Sequence, residues 1–106
     1  MPRGHWVDNV EQAIPYTELL LLDDGRGILI ANGEDDVMGV EFAVKRTKEL
    51  GVVRCTPRSD FDGPAPFTLT AIDGQLKLQG DDFKDMTFHQ VSKAIPDTLI
   101  QEHFDN

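Results

Sequence analysis

Asp81-Asp82-Phe83-Lys84-Asp85 carries three carboxylates at the spacing of an aspartate-rich motif that holds a metal and a diphosphate. Enzymes that use this motif enclose an isoprenoid chain in a large helical bundle, and 106 residues cannot build one. The run reads more simply as the acidic first turn of a helix, where carboxylates complement the dipole. Asp60-Phe61-Asp62-Gly63 begins like a calcium loop. It lacks the third oxygen ligand before the glycine and the bidentate glutamate that closes such a loop. Glu34-Asp35-Asp36, just after Asn32-Gly33, offers weak affinity for a divalent cation and serves equally as a helix-capping acidic cluster. No metal site and no cofactor are expected.

Nucleophilic chemistry has one candidate, Cys55, the single thiol of the chain. A reactive thiol needs a neighbouring base, and His5, His89 and His103 are all distant in sequence. Beside Val52 and Val53, Cys55 reads as a small apolar core residue. His89 following Phe88 is a candidate general base, and also an ordinary boundary histidine. Ser59 and Ser92 are the only serines, and neither lies in a nucleophile motif; phosphate loops, zinc motifs and paired cysteines are absent too. Catalysis is therefore not expected, although a small enzyme using Asp or Glu with His89 stays open as an alternative.

Charge points elsewhere. With 19 acidic and 10 basic residues the net charge is −9, which argues against direct binding of nucleic acid. The bases are unevenly spread. Lys45, Arg46, Lys48, Arg54 and Arg58 are half of them, with Glu49 the only acid in that stretch. An acidic chain without a site motif suits recognition of a basic protein, because carboxylates around an apolar centre steer association. Small inhibitors and immunity-type proteins that neutralise nucleases or nucleic-acid-binding proteins share this composition. The expected contact residues are Asp23, Asp24, Glu34, Asp35, Asp36, Asp60, Phe61, Asp62, Asp81, Asp82 and Asp85. Phe61 and Trp6 are the expected aromatic anchors. The rival expectation is a homo-oligomeric assembly protein, possible even as a homodimer. Its basis is a hairpin apolar on both faces and an apolar C-terminal stretch, Leu99, Ile100 and Phe104.

These residues must be positioned by elements readable from periodicity. A single domain spanning 1–106 is expected. No secretory leader and no membrane span are expected, and one cysteine suits a reducing, cytoplasmic compartment. Two Asp-Gly pairs mark hairpins. Around Asp24-Gly25, a two-residue loop predicts Leu21 opposite Ile28, Leu20 opposite Leu29 and Leu19 opposite Ile30. Both faces are apolar, so this hairpin belongs where both sides are covered. Around Asp73-Gly74, Ala71 is expected opposite Leu76, Leu69 opposite Leu78, Thr70 opposite Lys77 and Thr68 opposite Gln79, with one face in the core and one in water. Val52 to Thr56 reads as a further strand. Helices are expected over 35–50, 82–94 and after Pro96, with a brief helical turn from Asp8 to Ile14. The predicted fold class is α+β, a mainly antiparallel sheet of about five strands with helices packed against it.

Overall fold

In the computed structural model, residues 3–22, 24–58 and 65–95 are described. Eight strands follow one another: β1 (Gly4–Val7), β2 (Tyr16–Leu21), β3 (Arg26–Asn32), β4 (Val37–Arg46), β5 (Val52–Pro57), β6 (Phe67–Ile72), β7 (Gln75–Gly80) and β8 (Phe83–Ser92). Each pairs antiparallel with the next, and β8 returns to β1, closing a barrel. The α+β expectation is thus corrected: the described residues form an all-β barrel without helices.

Two of the expected helices are strands. In 35–50, Val37, Val40 and Val44 fit a helical stripe, but Met38, Val40, Phe42 and Val44 also fall on every second position. The second period wins in β4, where Phe42 and Val44 are buried against the barrel interior. Valine and phenylalanine favour pleated surfaces, and Gly39 weakens a helix. In 82–94 the same ambiguity resolves into β8, with Phe88 and Met86 directed to the core. The stretch from Asp8 to Ile14 is irregular rather than helical, and β1 was not anticipated. The expected strand at 52–56 is present as β5, while the segment after Pro96 lies outside the described residues.

The hairpins differ in fidelity to expectation. The β6–β7 register is the one expected, Leu69 opposite Leu78 and Thr70 opposite Lys77. Asp73 and Gly74 both have positive φ, 51° and 78°, as a type I′ turn requires. The β2–β3 register is displaced by one residue: Leu21 faces Gly27, Leu20 faces Ile28 and Leu19 faces Leu29. There the Leu22 N–H donates to the Arg26 carbonyl at 2.9 Å, so the turn is one residue longer. Asp24 holds the wider turn, accepting from the Arg26 backbone N–H at 3.2 Å and from its Nε at 2.7 Å. The displacement also puts Gly27 beneath the ring of Phe42. A Cβ there would lie 2.4 Å from that ring, so the glycine makes room for the largest side chain of β4.

Inside the barrel, Trp6, Phe42, Phe67, Phe88, Leu19 and Leu21 of β2, and the leucines of β3, β6 and β7 belong to one continuous core. Phe67 stacks edge-on with Phe42 and Phe83, centroids 5.1 and 5.0 Å apart. An eight-strand barrel is just wide enough to be filled by side chains or to hold one small ligand, and here side chains fill it. A second cluster lies on the outer side: Leu20, Leu22, Ile28 and Ile30 with Ile95. Burying each such side chain contributes roughly 1.5–3 kcal/mol.

Candidate functional site

An up-and-down barrel sends alternate connections to opposite ends. The connections 8–15, 33–36 and 81–82 share one end with the start of β8. Leu22–Gly25, 47–51 and 73–74 share the other. The first end therefore gathers Glu34, Asp35, Asp36, Asp81, Asp82 and Asp85 from loops far apart in sequence, and adds Asp8 and Glu11, which sequence reasoning missed. No lysine or arginine occurs in those three connections. Asp24 falls at the opposite end, engaged with Arg26. Asp23, Asp60, Phe61 and Asp62 lie outside the described residues.

Not all of these carboxylates are available to a partner. Asp8 Oδ1 accepts the Thr17 N–H at 2.7 Å, and Asp82 Oδ2 accepts the Ala65 N–H. Both tie loops down. Glu11, Glu34, Asp35, Asp36, Asp81 and Asp85 are exposed and form no ion pair among the described residues. Beside them stand Val10, Ile14, Val37 and Met38, which are 65, 55, 65 and 69% exposed. The cross-strand row Tyr16, Asn32, Val37 places the start of β4 next to the end of the 8–15 connection. This end thus carries exposed apolar side chains as well as exposed acids. Trp6, the other expected anchor, is instead a core residue, 6% exposed.

The chemical candidates separate cleanly. Cys55 is fully buried in the barrel core, and burial pushes its thiol up to about 12. His89 Nδ1 lies 3.2 Å from Gln75 Nε2, its one side-chain hydrogen bond among the described residues. A polar group that the sequence did not suggest sits on the outer side of β1 and β2. His5 Nε2 lies 3.2 Å from Glu18 Oε1, which also accepts the Tyr16 hydroxyl at 3.2 Å. Hydrogen bonding to His5, foremost, and more weakly to Tyr16 holds the Glu18 carboxyl below its ordinary value against the opposing effect of burial. Burial, then Glu18, raises Tyr16. The alternating Tyr16-x-Glu18 spacing was the available signal, but only the β1–β2 pairing brings His5 alongside. No three or more His, Cys, Asp or Glu among the described residues are grouped to hold a metal.

Two hollows lie away from that group and from the acidic end. One, about 460 Å³, follows the β4–β5 turn from Arg46 to Val53. The other, about 470 Å³, is bordered by Arg3, Trp6, Gln90 and Lys93. Both faces of the β2–β3 hairpin are covered within one copy, so their apolar character needs no second subunit. Among the described residues no helix is long and apolar enough to cross a membrane. Set against known protein families, curated proteins and solved structures, the chain matches none.

Proposed function

We propose that this chain is a protein-binding module whose acidic loop end docks on a basic protein, in the manner of an inhibitor of a nuclease or another nucleic-acid-binding protein. One observation carries the reading: at one end of the barrel three connections carry exposed carboxylates, and the apolar side chains Val10, Ile14, Val37 and Met38 are exposed at that same end. Charge speeds encounter and rejects acidic competitors, while the apolar side chains supply the contact that survives in salt. Glu34, Asp35, Asp36, Asp81 and Asp85 supply the charge, with Glu11.

The test is capture on immobilised wild-type chain and on a variant carrying Glu34→Gln, Asp35→Asn and Asp36→Asn. A basic protein is expected on the wild type and depleted on the variant, with affinity weakened at least about tenfold and a reduced dependence on salt. Equal retention by both, or retention of no basic protein, would overturn the reading. Circular dichroism of the variant checks that the barrel is intact.

A further inference from the structure

We infer that the outer face of β4 to β7 binds the phosphate backbone of a nucleic acid, through Lys45, Arg54 and the neighbouring cations Arg46 and Lys48. The inference stands apart from the acidic end and uses different residues. Lys45 and Arg54 are directly opposed on neighbouring strands, and both are exposed. Like charges in that arrangement cost stability. Nothing relieves them: among the described residues the ion pairs are His5–Glu18, Arg26–Asp24 and Arg58–Glu41, and none involves Lys45, Arg46, Lys48 or Arg54. A strand pair that keeps two unrelieved cations face to face is arranged for an anion from outside.

The surrounding side chains fit phosphate rather than protein. From Lys45 and Arg54 the cross-strand row continues through Thr68 to Gln79, and the next runs from Val52 through Thr70 to Lys77 and Thr87. Hydroxyls, amides and cations on a broad sheet are the donors that contact phosphate and sugar. Among the described residues the face presents no aromatic side chain of the kind that anchors protein interfaces. The nearest acids among the described residues are Asp24, next to the Gly25 whose carbonyl accepts the Val44 N–H, Glu41, on the same face of β4, and Glu49 in the β4–β5 turn; Asp24 and Glu41 are each engaged with an arginine, Arg26 and Arg58.

The net charge of −9 led to the opposite expectation, and the closed barrel explains why that quantity misleads. Lys45 is separated from Val37, at the acidic end, by most of the length of β4, which is about 25 Å at 3.3 Å per residue. Physiological salt screens exposed charges beyond about 8 Å. The acids of the far end therefore add little repulsion to a polyanion on this face, and the nearer Asp24 and Glu41 are each paired with an arginine.

The experiment is fluorescence anisotropy of a labelled 20-nucleotide DNA, single-stranded and duplex, titrated with the full chain between about 50 and 200 mM salt. Four phosphate contacts predict a slope of log affinity against log salt of about −3 to −4 for duplex. The variant Lys45→Gln/Arg54→Gln should lower that slope by about 2 and weaken binding roughly tenfold or more at 100 mM salt. Its thermal midpoint should stay level or rise, because the opposed like charges are gone. Lys84→Gln/Lys93→Gln, an equal change of net charge elsewhere, should leave the slope nearly unchanged. Absence of binding at 50 mM salt, or equal loss in both double variants, would overturn the inference. Displacement by polyglutamate as effective as by unlabelled DNA would overturn it too, assigning the face to an acidic protein.

Discussion

The β2–β3 and β6–β7 hairpins are built around the same dipeptide and face opposite demands. In β6–β7 the inner residues Leu69, Leu76 and Leu78 are buried, while Thr70, Lys77 and Gln79 look outward. A slip of one residue there would send the leucines to water, so polarity and turn chemistry dictate one register. In β2–β3 both sides are apolar: Leu19, Leu21 and Leu29 face the core, and Leu20, Ile28 and Ile30 the outer cluster. Either register buries much the same surface. The choice passes to finer features, the Asp24–Arg26 turn and the space that Gly27 leaves for Phe42. An Asp-Gly pair announces a hairpin, and only a polar face fixes its register.

This contrast can be broken by substitution. Ile30→Ala should cost about 2–4 kcal/mol because the outer side of β2–β3 is a real core, whereas Thr70→Ala on the outer side of β6–β7 should cost less than about 1 kcal/mol. Denaturant midpoints decide; equal costs would erase the distinction. Gly27→Ala should destabilise by about 1–3 kcal/mol through collision with Phe42. A neutral or stabilising result would show that the β2–β3 register has another origin. The smallest effect concerns Glu18, just outside that cluster. Its carboxyl is held below its ordinary value, so its contribution is present above about pH 4.5 and is lost as pH falls through the lowered value. The thermal midpoint of Glu18→Gln should therefore fall less steeply below pH 4.5 than that of the wild type. Parallel curves would show that the contacts of Glu18 with His5 and Tyr16 contribute nothing to folding.

What could be read in advance divides along the same physical line. Tight turns and clean alternation made β5 and the β6–β7 hairpin legible, because the determinants are local. β4 and β8 were not, since Val40 and Val44 satisfy helix and strand periods alike, and the barrel interior that selects between them is made by residues from other strands. β1 is four residues long and carries too little pattern to stand out. The acidic clusters were visible as composition, yet their convergence required knowing that 33–36 and 81–82 open on the same end. Trp6 was misplaced because a lone aromatic near the start of a chain says nothing of the barrel that will enclose it. The His5–Glu18 contact depends on strand register, which no residue type announces.

Closure by β1 and β8 has a consequence for recognition. Every described strand has a partner on both sides, and among the described residues the backbone rows left open to a visiting strand are short: the start of β8 before His89 on the β1 side and the start of β4 before Glu41 on the β5 side. Over the rest of the barrel wall, whatever this molecule meets must be held by side chains. A side-chain interface can be dismantled one residue at a time without unravelling the sheet beneath it, and evolution can rewrite it the same way.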